Sequence, residues 1–104
     1  MNPKPFAEAM KHGSIEQVFE NIYIVRGTAA FKKPVPVRFS RNMTVIREGN
    51  DLTLINSVRL SEQGLTELDA LGQVKHVIRL AGFHGMDDPF YKDRYGGCVF
   101  INIY

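Results

Sequence analysis

The chain has 104 residues, of which 44% are hydrophobic, a size and composition that suit one domain with one modest core. Thirteen lysines and arginines against eleven aspartates and glutamates give a net charge of +2, and the scattered basic residues argue against nucleic acid as a partner. The only cysteine, Cys98, excludes an internal disulfide, and no apolar run approaches the ~20 residues that span a bilayer. The sequence therefore predicts a soluble cytoplasmic protein whose partners include neither nucleic acid nor a membrane.

The first third of the chain predicts a single strand. Residues 1–16 contain two early prolines and are expected to be weakly structured, so the core of the single domain is assigned to residues 17–104. The β-branched and aromatic residues of 18–25 predict a strand, and Gly27 closes it. Residues 28–36, which are rich in proline and lysine, are expected to form a loop.

The middle of the chain predicts a hairpin, a helix and a strand in that order. Residues 43–47 and 52–56 are strand-like and are joined by a Glu-Gly-Asn-Asp turn, which favours an antiparallel hairpin. Residues 61–72 predict a helix, because a serine stands at the N-cap, three leucines share one face and a glycine stands at the end. Residues 74–80 then predict a buried strand.

The last part of the chain predicts a short helix and a final strand. Proline at position 89 can open a helix, which the glycines at 96 and 97 would end. Residues 98–104 have the composition of an apolar strand, which needs a partner strand unless it is to remain an exposed edge. Together the elements predict an α/β (α+β layered) fold with a mixed or mostly antiparallel sheet and one or two helices.

The segment from residue 74 to residue 89 carries the candidate chemistry. It places His84, Asp87 and Asp88 within five residues, directly after a buried strand, where α/β chains commonly display functional groups. These side chains could ligate a metal or transfer a proton, but they are too few to complete a metal site. Two other interpretations stay open: His84 as a loop histidine bonded to a backbone carbonyl, and the two aspartates as caps of the following helix.

In element order and in this motif, the chain resembles the N-terminal half of the metallo-β-lactamase fold, the αββα metallo-hydrolases. That family carries a His-x-His-x-Asp-His motif after the corresponding strand, and the motif ligates zinc or iron. With His84 aligned to the first histidine, Asp88 matches the aspartate, whereas Met86 and Pro89 occupy the positions of two histidines. The resemblance implies a partial αββα sandwich, His84, Asp87 and Asp88 as metal ligands, Asp88 as the catalytic residue, and zinc or iron as the cofactor.

The two departures from the motif have a chemical consequence. The thioether of Met86 is a poor ligand for a divalent zinc or iron ion, and the side chain of Pro89 has no donor atom. The resemblance therefore implies a metallo-hydrolase-like protein, or the N-terminal part of one, with an incomplete or degenerate metal site. Such a chain is expected to be inactive alone and to act on a small-molecule substrate only when a missing C-terminal half or a partner, such as another copy in a homo-oligomer, completes the site. The alternative is a non-enzymatic binding or assembly domain that pairs through its C-terminal strand.

Overall fold

The computed structural model describes residues 11–31, 37–80 and 87–102, and these form a six-stranded sheet with two helices. The strands are β1 (His12–Phe19), β2 (Ile22–Phe31), β3 (Val37–Glu48), β4 (Asp51–Ile55), β5 (Gln73–Arg79) and β6 (Val99–Asn102), and the helices are α1 (Glu62–Leu71) and α2 (Asp88–Arg94). The strands lie in sequence order across the sheet, antiparallel from β1 to β4 and parallel from β4 to β6. The predicted α+β fold with a mixed sheet is therefore confirmed.

The single strand predicted near the N-terminus is wrong, because a turn divides it into β1 and β2. The Gln17 side-chain amide donates to the backbone oxygen of Glu20 at 2.9 Å, and the backbone oxygen of Asn21 accepts from Arg47 N at 2.8 Å. The first bond closes the turn on itself, and the second holds the turn against β3. Since β1 begins at His12, the expected weak structure is also wrong for residues 12–16.

The loop predicted for residues 28–36 is wrong for residues 28–31, which belong to β2. Residues 32–36 lie outside the described residues. β2 continues through Phe31, which pairs with Val37 in an antiparallel register. The pairing extends the β2–β3 hairpin well beyond Gly27, the residue expected to end the strand. Backbone hydrogen bonding to β3 therefore overrides the local turn signals here.

The predicted hairpin, both helices and the last two strands are confirmed. β3 and β4 pair on either side of Gly49, whose φ of +63° is a conformation that glycine adopts without strain. The Ser61 hydroxyl caps α1 by accepting from Gly64 N at 3.1 Å. A glycine at position 64 costs helix propensity, but a Cβ there would lie 2.9 Å from the Cβ of Leu60, so the close packing requires it.

The hydrophobic core lies on one face of the sheet, beneath both helices. Leu65 and Leu68 of α1 and Tyr91 of α2 are buried there with side chains from four of the strands, β2 to β5. The fully or nearly buried core residues are Tyr23, Val25, Met43, Val45, Leu52, Leu54, Val58, Leu60, Leu65, Leu68, Val74, Val77 and Tyr91. The core therefore has two layers, helices on sheet, and the opposite sheet face contributes nothing to it.

In the described ranges, no helix combines the length and the apolar character needed to cross a membrane.

The parallel strands β4, β5 and β6 run in the same direction, so β4 and β5 both end at the edge of the sheet where α2 begins. This edge is where the predicted chemistry should lie.

Candidate functional site

Asn56 joins the ends of β4 and β5 and so shapes the floor of the site. Its φ of +57° turns the chain out of β4, and its backbone N donates to Ile78 O at 2.8 Å. Its side-chain Oδ1 accepts from Leu80 N at 2.9 Å. Asparagine is one of the few residues other than glycine that tolerate this left-handed conformation. The turn brings the following segment, residues 57–59, against the start of α2.

Asp87 is held in a buried ion pair. Its side chain is 1% exposed, and Oδ2 accepts from Arg41 Nη1 at 3.0 Å and from the backbone N of Arg59 at 2.7 Å. Arg41 is 3% exposed and comes from β3, on the same sheet face as Met43. Because both charges are out of water, each depends on the other for compensation.

The buried pair is only partly satisfied by hydrogen bonds. Within the described residues, Nε and Nη2 of Arg41 and Oδ1 of Asp87 have no hydrogen-bond partner. A buried charge that lacks part of its hydrogen bonding is costly, and removal of its counter-ion makes it costlier still. The pair therefore fixes the position of the turn before α2 firmly, at a cost in desolvation.

Asp88 lies at the first position of α2 and bonds to the loop after β4. Its Oδ1 accepts from the Ser57 hydroxyl at 2.7 Å, and its Oδ2 lies 3.7 Å from Arg79 Nε at the end of β5. Ser57 is 1% exposed and Asp88 7% exposed. Asp88 therefore links the ends of β4 and β5 to α2.

The predicted capping role is wrong for Asp87. The residue occupies the N-cap position of α2, but its side chain makes no capping hydrogen bond. Its carboxylate reaches across to Arg41 and to the backbone of Arg59 instead. A buried Arg41 without its counter-ion would cost about 3–5 kcal/mol, more than the ~1 kcal/mol that a capping bond contributes.

Two further contacts hold α2 against residues 57–59. The Tyr91 hydroxyl donates to Val58 O at 2.7 Å, and the Arg59 guanidinium lies 4.2 Å from the centre of the Phe90 ring. Tyr91 is fully buried, and burial raises the pKa of its hydroxyl above the ordinary value, so the group stays a neutral donor. Phe90 and Tyr91 also meet edge to face, with ring centres 5.3 Å apart.

The structure thus brings Asp87 and Asp88 together with residues that the sequence analysis missed. Arg41, Ser57, Arg59 and Arg79 were not predicted as part of the site. The one available signal was the alternation of β3, which extends back from Met43 and places Arg41 on the core face, where a charge needs a partner. His84 and Met86 lie outside the described residues, so the ligand assignments and the catalytic role of Asp88 stay predictions.

The described residues alone do not fit a zinc site. They contain no group of three or more histidine, cysteine, aspartate or glutamate side chains that could hold a metal ion. Asp87 already bonds to Arg41, and the Arg79 guanidinium lies beside Asp88, so a divalent cation here would meet nearby positive charge. A zinc site needs at least three protein ligands with free lone pairs, and these two carboxylates do not supply them.

The fold is that of the metallo-β-lactamases. The chain superposes on DIM-1 metallo-β-lactamase exposed to ceftazidime with a TM-score of 0.62 and 13% identity, over 91% of this chain and 44% of that one. The mono-zinc form of FIM-1 from Pseudomonas aeruginosa gives 0.60 and 8%, over 86% and 41%. The mono-zinc NDM_FIM-1-like enzyme from Erythrobacter litoralis gives 0.59 and 13%, over 85% and 43%. The chain therefore spans less than half the length of these structures.

No protein-family model matches the chain, and no curated protein matches its sequence. At these low identities the structural likeness defines the fold, and the described residues define a strand-end cluster of arginines, aspartates and a serine. The protein thus has the metallo-β-lactamase fold, and both described candidate ligands, Asp87 and Asp88, already bond to other groups of the protein.

Proposed function

We propose that the chain is a metallo-hydrolase-like protein with a degenerate metal site that does not hold zinc by itself. The proposal is supported most directly by the buried ion pair between Asp87 and Arg41. This pair engages one of the three predicted ligands in holding the fold. The fold likeness supports the hydrolase ancestry, and two of the similar enzymes were solved in mono-zinc forms.

Asp88 is the carboxylate that could still contribute to a metal site. Its Oδ1 is used by Ser57, but the 3.7 Å separation of Oδ2 from Arg79 Nε exceeds hydrogen-bond length. With His84, it would supply two ligands. Because zinc sites need more, we infer that any metal chemistry requires donors from a further segment or from a partner.

Under this proposal, the strand-end cluster mainly positions α2. Ser57, Arg41 and the backbone of Arg59 anchor the two aspartates, and Tyr91 anchors the first turn of the helix. In the isolated chain, hydrolytic turnover is expected to be absent, since no described group completes a shell for an activated water. Substrate binding would need the same missing donors.

The metal content of the purified protein tests the proposal directly. Protein incubated with excess zinc and then desalted is expected to retain much less than one zinc per chain by inductively coupled plasma mass spectrometry. His84→Ala and Asp88→Asn are expected to leave that residual content unchanged, since neither completes a shell.

His76→Ala is the matched control, because His76 is an exposed histidine on β5, outside the cluster. One zinc per chain, lost in His84→Ala and Asp88→Asn and retained in His76→Ala, would overturn the proposal. The same pattern would establish the two residues as ligands.

A further inference from the structure

A β-bulge near the start of β1 turns His12 onto the helical face of the sheet. His12 pairs with Gly27 and Ile15 pairs with Val25, so the register shifts by one residue between the two pairs. The extra residue interrupts the usual alternation of side chains. His12 therefore points to the same face as Ile15, which packs against the core, and the sheet presents a histidine to α1.

His12 accepts a hydrogen bond from the residue that caps α1. The backbone N of Ser61, the N-cap residue, donates to Nε2 of His12 at 2.8 Å. In a capping box, this N–H is bonded by a glutamate or glutamine at the third helical position. That position in α1 is Gly64, which has no side chain. An imidazole from β1 therefore replaces the local acceptor, and the bond joins residues 49 positions apart.

The two hydrogen-bond partners of the His12 ring require one protonation state. Nδ1 lies 2.6 Å from the backbone oxygen of Gly13, which can only accept, so Nδ1 carries a proton. Nε2 must be unprotonated, because it accepts from Ser61 N. The neutral ring with its proton on Nδ1 satisfies both bonds. A second proton on Nε2 would place two N–H groups against each other.

The His12 ring packs closely on the first turn of α1 and still has access to solvent. A Cβ on Gly64 would lie 3.2 Å from Cε1 of His12, so the glycine leaves room for the ring. A cavity of about 210 Å³ lies beside the ring, where Ser14, Gln63 and Glu67 contribute to its lining. Because His12 is partly exposed, its ring can exchange protons with water.

Charged groups of both signs surround His12. They are Glu62 and Glu67 of α1, Lys11 directly before β1, Arg26 of β2 and Arg41 of β3. Arg26 pairs with Glu16 at 3.4 Å, and Arg41 pairs with Asp87 at 3.0 Å. The N-terminus of α1 opposes a positive ring, whereas Glu67 favours one. With both signs present, the specific consequence of protonation is the loss of the acceptor at Nε2.

We propose that His12 is a pH-sensitive latch between β1 and α1. The neutral ring accepts from Ser61 N and holds the start of β1, an edge strand, against the helix. Histidine is the side chain that changes charge between about pH 8 and pH 5, and the charged ring has no acceptor for this bond. Acidification therefore releases His12 from Ser61, while residues 15–19 stay paired with β2. The latch uses none of the strand-end cluster and is independent of the proposed function.

Nuclear magnetic resonance of the full chain between about pH 8 and pH 5 tests the latch. On acidification, the Ser61 amide proton is expected to move upfield with the same midpoint as the Cε1 proton of His12. Its protection against hydrogen exchange, relative to the intrinsic rate at each pH, is expected to fall about fivefold, which corresponds to the loss of one hydrogen bond. At about pH 8, long-range nitrogen–proton spectra are expected to place the ring proton of His12 on Nδ1.

His12→Gln is the conservative variant, because its side-chain oxygen can accept from Ser61 N but does not titrate. The Ser61 amide in this variant is expected to keep its shift and its protection across the range. The matched control is His76→Gln, which removes an exposed histidine from β5 and should leave the Ser61 titration unchanged.

Two results would overturn the latch. One is a Ser61 amide that responds to pH equally in the wild type and in His12→Gln. The other is a wild-type His12 ring with its proton on Nε2 at about pH 8, which decides the question even if the variant does not fold.

Discussion

Replacement of Asp87 by asparagine is expected to lower the free energy of unfolding by about 3–5 kcal/mol, because the buried Arg41 charge loses its counter-ion. Arg41 is 3% exposed and lies 3.0 Å from Asp87, so water cannot readily take over the role of the carboxylate. In the wild type, two guanidinium nitrogens already have no hydrogen-bond partner among the described residues. Urea denaturation of the wild type and the variant at the same protein concentration measures the effect.

The matched control for Asp87→Asn is Asp69→Asn. Asp69 forms an ion pair of similar length with Arg94, at 2.9 Å, but the two side chains are 44% and 35% exposed. An exposed pair contributes about 0–1 kcal/mol, so this variant should lose little. A double variant with Arg41→Met and Asp87→Asn should recover part of the loss, since it removes both buried charges. If Asp87→Asn cost no more than Asp69→Asn, the anchoring role of the buried pair would be refuted.

Truncation of Tyr91 to alanine is expected to destabilise the fold by about 3–5 kcal/mol, because the side chain is fully buried in the core. Tyr91→Phe separates the hydroxyl from the ring. It removes only the 2.7 Å bond to Val58 O and leaves that buried carbonyl with one partner fewer, at a cost of about 1–2 kcal/mol. Urea denaturation measures both losses. The loss in Tyr91→Phe gives the hydrogen-bond contribution, and the additional loss in Tyr91→Ala gives the contribution of ring packing.

Tyr95 provides the comparison for Tyr91. The two rings stack with centres 6.0 Å apart, but Tyr95 is partly exposed and its hydroxyl donates to Asp69 at 2.6 Å. Burial, together with this bond, raises the pKa of Tyr95 to about 12, so its hydroxyl is also a neutral donor at pH 7. Tyr95→Phe should cost less than Tyr91→Phe, because water can solvate Asp69. The reverse order would show that the Val58 bond does not hold α2 in place.

Local signals in the sequence were sufficient for most of the fold. The Gly49 turn, the Ser61 cap and the glycine after α1 each act within a few residues, and the structure has the hairpin, α1 and β5 where these signals place them. The turn at Glu20 and Asn21 was missed because it contains neither glycine nor proline. Its hydrogen bond to Arg47, on a strand distant in sequence, is not visible in a local pattern.

The partners of the site were harder to predict than its position. The strand end and the two aspartates were identified from local spacing, but Arg41 lies 46 residues from Asp87 and Ser57 lies 31 residues from Asp88. Such pairings follow from the topology of the sheet, which the residue types alone do not specify. A basic residue on the core face of a predicted strand is the best available sign of a buried counter-ion.

A metallo-β-lactamase fold and a buried arginine–aspartate pair at the strand ends are physically compatible. Sheet pairing and the one-sided core carry the metallo-β-lactamase fold, and neither depends on a bound ion in the described residues. An arginine–aspartate pair can anchor the strand-end turn through contacts within the protein, provided that its desolvation is compensated by packing. Under the proposed function, the chain keeps the fold without holding a metal by itself.

Equilibrium unfolding with and without zinc tests this account most directly. A ligand that binds only the folded chain raises the free energy of unfolding, by about 2.7 kcal/mol at a concentration one hundred times its dissociation constant. The account predicts that zinc, added to the isolated chain, leaves the urea midpoint unchanged in the wild type and in Asp88→Asn alike. A zinc-dependent rise of that size in the wild type, abolished in Asp88→Asn, would contradict it.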